Sequence, residues 1–187
     1  MFDKNVYLQT IEHACCMAGE IEKSELKAFK IDDDDGIAKA IGFHTGMLNK
    51  VDYFLAKDNA VQLIELTDLE ESHQSCYAYI EKELTALKVE KSTISKREES
   101  NIVKEAWKDT KVEFIKKWSG SIAVIERLYR KTNELGEADP NYKLLIVCKN
   151  HTDIEMLDAL KRQLSGMMGD VQICKTETLN NVLIVKL

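Results

Sequence analysis

The sequence predicts an α/β fold, with a mixed central sheet flanked by helices and a long helical insertion, and three observations lead to this prediction. Residues 50–68, "KVDYFLAKDNAVQLIELTD", contain two strand-like runs joined by a Lys-Asp-Asn turn. A further apolar run, "YKLLIVCKN" at 142–150, follows the single proline. Between these runs, residues 69–135 contain one glycine, no proline and repeated helical periodicity. We therefore expect one domain over residues 1–187 that contains a helical insertion at 69–135.

The N-terminal part of the chain predicts a helix followed by a loop. Residues 5–29 carry apolar side chains close to a 3.6-residue period, which is typical of an amphipathic helix. The next stretch, "IDDDDGIAKAIGFHTG", holds three of the eight glycines and is predicted to be a loop. Its acidic run fails the spacing of an EF-hand, because Gly42 would occupy the twelfth position, where calcium requires a carboxylate. A solvated acidic loop is the better interpretation.

The insertion is predicted to form several helices. Asp68, with Glu71 three residues later, is typical of a helix N-cap, so we assign Asp68 a structural role. "EKSTISKREESN" predicts an exposed turn or bend, and "WSGS" at 118–121 predicts a break. Three apolar stripes define the helices; they comprise Leu69, Cys76, Tyr77, Ile80, Leu84 and Leu87, then Val103, Trp107, Thr110, Phe114 and Trp118, then Ile122, Ile125, Leu128 and Tyr129.

The C-terminal part returns to alternating strands and helices. The strand at 142–150 precedes a capping-box pattern formed by Thr152 and Glu155, which predicts the start of a helix. "VQICK" and "VLIVKL", separated by "TETLNN", are predicted to pair as a closing hairpin. The succession of strand, helix and strand predicts a right-handed parallel crossover.

Composition narrows the class of protein without identifying a partner. The net charge of −6 and a pI near 5.3 argue against a broadly basic nucleic-acid-binding surface but allow a local basic groove. Five cysteines, without a C-x-x-C spacing, favour a reduced compartment, and we expect the adjacent Cys15 and Cys16 to pack inside a helix. No run of about 18 apolar residues and no export signal are present, so we expect a cytoplasmic protein without a membrane partner.

The hairpin at 50–68 raises the main functional question. If Asp58 and Asn59 are the two central turn residues, Asp52 lies opposite Glu65, and Lys50 lies on the same face of the sheet. A different register would instead send the two acids to solvent.

Two carboxylates that face each other across a pair of strands repel, so something must compensate their charge. Magnesium or manganese is the economical candidate, because hard divalent cations prefer carboxylate oxygens. The ammonium of Lys50 could orient or activate a water, or stabilise developing negative charge. We therefore predict a catalytic site of Lys50, Asp52 and Glu65, with Asp52 and Glu65 as the metal ligands.

These residues resemble the motif of the PD-(D/E)XK nuclease superfamily, which has the restriction-endonuclease-like fold. Asp52 matches the first acid of the motif and Glu65 matches the second, thirteen residues later. Thr67 stands where the motif has its lysine, so either Lys50 or Lys82 takes over that role or the site is degenerate and catalyses nothing. The resemblance implies metal-dependent attack of water on a phosphodiester bond of DNA or RNA.

A second class of function is a noncatalytic α/β protein that uses the helical insertion to bind another copy of itself or a different protein. The stripe that ends in Trp107, Phe114 and Trp118 would suit this use, because aromatic residues are favoured at the cores of interfaces. The hairpin separates the two classes: acids that converge with Lys50 in a concave site favour the enzyme. Splayed acids and an exposed aromatic helix face favour the interaction module.

Overall fold

The structure is a computed structural model of the 187-residue chain. It describes residues 2–13, 21–44, 46–91, 93–134, 139–168 and 171–185, without the side chains at 71–73. Cys15 and Cys16, for which we predict packing inside a helix, lie outside the described residues.

A six-stranded mixed sheet forms the centre of the fold, as predicted. Its strands are β1 (Leu8–Glu12), β2 (Lys23–Lys30), β3 (Tyr53–Lys57), β4 (Ala60–Thr67), β5 (Asn141–Cys148) and β6 (Gln172–Lys175). The strands lie side by side in sequence order. The pairs β1–β2, β2–β3 and β3–β4 are antiparallel, whereas β4–β5 and β5–β6 are parallel. The α/β class with a mixed sheet is therefore confirmed.

Long helices connect β4 to β5, as the periodicity of the insertion predicts. The helices are α1 (Ile37–Ala40), α2 (Leu69–Glu90), α3 (Lys96–Ala106), α4 (Lys108–Thr132), α5 (Ile154–Leu164) and α6 (Leu179–Val182), with 3-10 turns at Lys4–Tyr7 and Thr176–Thr178. Asp68 is the N-cap of α2, because its carboxylate accepts a hydrogen bond from the backbone N–H of Glu70 at 3.2 Å. Ser95 and Glu98 form a capping box that starts α3 inside the segment predicted as an exposed turn or bend, so residues 96–101 of that segment are helical. No helix in the described ranges is long and apolar enough to cross a bilayer.

The predicted first helix is wrong over its described residues, because β1 and β2 occupy this region. Leu8 pairs with Phe29 and Gln9 pairs with Ala28 across an antiparallel ladder. Along β2, more exposed and less exposed residues alternate from Lys23 onward, which is the two-residue period of a strand. The same apolar positions also fit a 3.6-residue spacing, so the periodicity was ambiguous.

The predicted helix break at "WSGS" is also wrong, because α4 runs through residues 118–121 without interruption. A glycine inside a helix is about 1 kcal/mol less favourable than alanine. Here the flanking turns are buried in the core at Val124 and Ile125, and this burial outweighs the weak local preference.

The C-terminal hairpin is the third correction. β6 forms where it is predicted, but the chain then turns through α6, and residues 183–185 are not in a strand. The side-chain oxygen of Gln62 accepts a hydrogen bond from the backbone N–H of Ile184 at 3.0 Å. This side-chain contact takes the place of the strand pairing predicted for the closing hairpin. The helix predicted after β5 is present as α5, although its N-cap is Asp153 rather than Thr152.

Both faces of the sheet are covered by apolar side chains. The face toward the long helices is lined by Phe29, Phe54, Val61, Leu63, Leu144, Ile146 and Cys148, which pack with residues of α4 and α5. The opposite face is lined by Ala28, Tyr53, Leu55, Ile64, Leu145, Val147 and Cys174, which pack with Leu179, Leu183 and Val185. Glu65, a polar residue on the helical face of β4, therefore lies between the sheet and the helices.

Candidate functional site

The β3–β4 hairpin has the predicted register. Lys57 pairs with Ala60 and Tyr53 pairs with Ile64, which leaves Asp58 and Asn59 as a two-residue turn. Asp58 has a φ of 54°, a left-handed conformation that aspartate tolerates in tight turns. The same register continues beyond the ladder and places Asp52 beside the end of β4.

Asp52 and Glu65 face the helical layer. Tyr53 and Ile64 belong to the apolar cluster on the opposite face of the sheet, and neighbouring residues of a strand alternate between faces. One carboxylate oxygen of Asp52 accepts the backbone N–H of Leu66 at 2.7 Å, which fixes the aspartate against β4. Glu65 is only 2 % exposed, and its Oε2 atom has no hydrogen-bond partner among the described residues. The two acids predicted from the sequence are therefore held at the same end of the hairpin, with Glu65 buried and Asp52 half-buried.

A lysine from the insertion completes this arrangement. The ammonium of Lys117, on α4, forms an ion pair and hydrogen bond with Oε1 of Glu65. The same ammonium lies 3.4 Å from Glu113, one helical turn earlier and largely exposed. Sequence reasoning missed Lys117 because 52 residues separate it from Glu65. No local motif marks it, since the contact is created by the docking of α4.

Gly120 and Ser121 explain how α4 approaches the hairpin so closely. A Cβ atom on Gly120 would lie 2.1 Å from the backbone oxygen of Asn49, so only glycine fits against this segment. The buried hydroxyl of Ser121 donates to the backbone oxygen of Lys117 at 2.7 Å and accepts the backbone N–H of Val51 at 2.9 Å. Gly120 and Ser121, where the sequence predicts a helix break, thus form the contact that holds α4 and Lys117 against the residues immediately before Asp52.

Burial and mutual repulsion shift the ionisation of these groups. Burial raises the pKa of Asp52 to about 6, although the hydrogen bond from Leu66 and the charge of Lys117 act in the opposite direction. Burial, reinforced by the charge of Asp52, raises the pKa of Glu65 well above its ordinary value. Burial opposes the charge on Lys117, but the combined attraction of Glu65 and Asp52 outweighs it and raises the pKa of Lys117. The lysine is therefore a cation at neutral pH. Its single positive charge does not balance the two carboxylates.

The acids open onto a cleft of about 810 Å³ between the sheet and the start of α2. Its charged lining comprises six carboxylates and three lysines, so negative charge is in excess; these residues are Glu12, Asp33, Asp52, Glu65, Asp68, Glu70, Lys30, Lys117 and Lys149. Thr67, at the position where the resembled motif has lysine, also lines the cleft. A polyanion would be repelled here unless a cation entered first.

Lys50 is placed differently from Asp52 and Glu65. Its side chain is 6 % exposed, and its ammonium lies 3.0 Å from Asp32 and donates to the backbone oxygen of Leu48 at 2.8 Å. It lines a smaller neighbouring cavity of about 290 Å³, and Lys117 lines both cavities. Lys82, the other lysine considered from the sequence, is exposed on α2. The structure thus brings Lys117, rather than Lys50, to the acid pair.

The acidic loop before α1 is exposed at Asp33, Asp34 and Asp35, as predicted, and its aspartates also form ion pairs with lysines. Lys30 lies within 3.1 Å of both Asp33 and Asp35, while Lys39 and Lys50 pair with the two remaining aspartates. Asp33 lines both cavities, so the loop contributes negative charge to their shared border.

Comparison with known proteins adds no assignment to this geometry. The chain matches no family model, no curated protein and no solved structure.

Proposed function

We propose that the protein is a metal-dependent phosphodiester hydrolase acting on DNA or RNA, of the PD-(D/E)XK type, in which Asp52 and Glu65 hold Mg²⁺ or Mn²⁺. One observation carries the proposal: the carboxylate of Glu65, buried on β4, and that of Asp52, half-buried directly before β3, converge with one lysine in a cleft. Carboxylate oxygens are the ligands that these cations prefer. The lysine comes from α4, which is a departure from the sequence motif.

The residues fit a divalent cation by their own chemistry. Glu65 has a buried carboxylate oxygen without a partner among the described residues, and a buried unpaired oxygen is unfavourable. Lys117 supplies one positive charge against two carboxylates, so a second cation would neutralise the remainder. When bound, the cation would supply Lewis-acid polarisation of the phosphodiester and acidification of a water.

The residues of the chain have separable roles in this proposal. The hydrogen bond from the backbone N–H of Leu66 holds Asp52 in one orientation. Its other carboxylate oxygen is therefore already positioned, and no side-chain freedom is lost when it binds a cation. Lys117 keeps its proton at neutral pH because the neighbouring acids raise its pKa. It therefore acts as a donor that stabilises developing negative charge on the phosphate, rather than as a general base.

Calorimetric titration with Mn²⁺ tests the metal site without any assumption about substrate. Wild-type protein should bind Mn²⁺, and Glu65→Gln should lose this binding because the buried ligand oxygen is replaced by an amide. Glu113→Gln is the matched control, because Glu113 contacts the same lysine from the exposed side. Equal binding by wild type and Glu65→Gln would remove the basis of the proposal.

The role of the lysine is tested with single-stranded and double-stranded DNA and RNA in the presence of Mg²⁺ or Mn²⁺. Lys117→Met should reduce cleavage by about a hundredfold or more, the scale of losing one charge-stabilising donor. Lys50→Met separates the two candidate lysines and should retain most of the activity. Cleavage that survives in both Glu65→Gln and Lys117→Met would contradict the assignment of this site.

The interaction module predicted as the second class has less support. Trp107 and Phe114 are buried in the core, and Trp118 packs edge-on against Tyr142, so their aromatic surfaces are used within the chain. The two acids line a concave site, which is expected of the enzyme, but the lysine beside them is Lys117 rather than Lys50. The hydrolase is therefore the function that we carry forward.

A further inference from the structure

The charged residues that line the cleft are arranged by depth. Four carboxylates stand at its rim, with side chains between 40 % and 66 % exposed; these rim acids are Glu12, Asp33, Asp68 and Glu70. The side chains of the three cleft lysines are only between 12 % and 23 % exposed; they are Lys30, Lys117 and Lys149. Negative charge therefore surrounds the entrance, and positive charge lies farther in.

Two of the cleft lysines are held in place by partners that an anionic ligand can replace. Lys30 lies 3.1 Å from Asp33, and Lys149 lies 2.8 Å from Asp68. Both aspartates are rim acids, so their carboxylates can turn to water when a phosphate takes their place. Lysine binds phosphate as a point charge, and the exchange keeps each ammonium paired with an anion.

The cleft is small for a nucleic acid. Its volume of about 810 Å³ lies within the range of about 300–1,000 Å³ that holds one drug-sized ligand. A short stretch of one strand fits this space, whereas a base-paired duplex does not. Because Glu65 is buried, a phosphate must enter the cleft to reach it. A strand that stays paired would press its partner strand against the rim.

The rim acids repel a duplex more strongly than a single strand. Double-stranded DNA carries one negative charge per about 1.7 Å of its axis, which is twice the charge density of either strand alone. Exposed charges act over about 8–10 Å at physiological salt, so a second strand at the rim lies within range of these carboxylates. Repulsion of the wrong ligand is a general source of specificity.

We propose that the cleft selects single-stranded nucleic acid: the cleft lysines receive the phosphates of the strand, and the rim acids exclude duplexes. The inference rests on the proposed function for the identity of the ligand. It adds the form of DNA or RNA that reaches Asp52 and Glu65. A paired substrate must be opened before its phosphate can enter.

Fluorescence anisotropy tests this selection without metal and without cleavage. The full chain carries Asp52→Asn and Glu65→Gln, which neutralise the inner acids so that a phosphate can enter in the presence of a chelator. The probe is a labelled oligodeoxynucleotide, either free or annealed to its complement. The single strand should bind about tenfold or more tightly than the duplex, because each of several exposed charges contributes up to about fivefold. Equal affinities, tighter binding of the duplex, or no binding of either form would overturn the proposal.

Replacement of Glu70 in the same background isolates the effect of the rim. Glu70 lies 3.4 Å from the imidazole of His151, whereas Asp33 and Asp68 pair with cleft lysines, so Glu70 is the better choice. Glu70→Gln should strengthen duplex binding by about two- to fivefold and single-strand binding by less. Glu90→Gln is the matched control, because Glu90 is exposed at the other end of α2, about 30 Å away. An unchanged ratio of the two affinities in Glu70→Gln would contradict the role of the rim.

Lys149→Met tests the contact between a cleft lysine and a phosphate. The logarithm of the affinity for a single strand falls with the logarithm of salt concentration, by about 0.7 for each neutralised phosphate. Lys149→Met should lower this slope by about 0.7, an effect that a purely structural role would not produce. Lys57→Met removes an exposed lysine of the β3–β4 hairpin and should leave the slope unchanged. A slope that Lys149→Met does not alter would overturn the assignment of the lysine.

These measurements separate the selectivity from the proposed hydrolysis. Single-strand preference in the neutralised variant, with no Mn²⁺ uptake by wild type, would support the selectivity and contradict the hydrolase. Mn²⁺ uptake at Glu65 with equal binding of the two nucleic-acid forms would do the reverse. The ratio of cleavage rates by wild type in Mn²⁺ is a second measurement of the preference, and it should favour the single strand in the same way.

Discussion

Replacement of Asp52 by asparagine should stabilise the metal-free protein at neutral pH. Asparagine keeps the oxygen that accepts the backbone N–H of Leu66, but it removes a charge that is unfavourable in this buried position. The pKa of Asp52 rises from 3.8 to about 6 on folding. The difference is about two pKa units, each equivalent to about 1.4 kcal/mol, so the unfavourable charge amounts to about 3 kcal/mol.

The sign of this effect follows from proton linkage. Above about pH 6, Asp52 is ionised in the folded and the unfolded chain, and the full penalty of burying its charge is present. Between about pH 6 and pH 4 the folded protein takes up the proton first, so the free energy of unfolding rises as the pH falls. Below about pH 4 both states are protonated and the penalty is gone. The gain from Asp52→Asn should therefore be largest at pH 8 and vanish near pH 4.

Urea unfolding in the presence of a chelator, at pH 8 and at pH 4.5, measures this difference. Asp158→Asn makes the same chemical change at an exposed position of α5 and should alter stability by less than about 0.5 kcal/mol. A gain of the same size at both pH values, or a loss of stability at pH 8, would refute the electrostatic reasoning. Mn²⁺ should then stabilise wild type more than Asp52→Asn, because only the wild type retains both proposed ligands.

Three further predictions concern packing and thiol chemistry. Gly120→Ala should destabilise the protein by about 1–3 kcal/mol through overpacking, although the same change in an unpacked helix is stabilising; thermal unfolding measures the sign. Ser121→Ala should cost about 1–3 kcal/mol because it leaves a buried backbone N–H without an acceptor, whereas Thr132→Ala, which loses a hydrogen bond only within α4, should cost less. Cys148 and Cys174 are buried, and burial raises the pKa of each to about 12, so peptide mapping after iodoacetamide treatment at pH 8 should find both unmodified in native protein and modified in urea.

The elements that were predicted correctly are those with one dominant local signal. The β3–β4 hairpin has apolar runs on both sides of a two-residue turn, so its register and the shared face of Asp52 and Glu65 followed from counting. The strand at β5 and the helical character of the insertion follow from continuous apolar patterns, although the second predicted stripe spans the junction between α3 and α4. In contrast, Lys23–Lys30 fits two periods at once, and only pairing with β1 selects the strand.

The part of the site that could not be predicted depends on tertiary contacts. Lys117 is an ordinary lysine of an amphipathic helix until Gly120 permits α4 to contact the segment before Asp52. The sequence around Gly120 carries the signal for this contact, since a glycine within a long helical pattern often marks a close approach, but the same letters also predict a break. Strand register can be counted from the sequence and points to Lys50, whereas the docking of a helix cannot be counted.

The position of Lys117 in the helical insertion affects the sequence in which parts of the site can form. The hairpin carrying Asp52 and Glu65 is local in sequence, but the lysine that partly offsets their charges lies 52 residues downstream of Glu65. During synthesis the hairpin therefore leaves the ribosome before its counter-charge exists, and the acids remain hydrated or protonated until α4 packs. Because α4 supplies both Lys117 and the core residues Val124, Ile125 and Leu128, a chain that lacks α4 should lose the charged cluster and part of the core together.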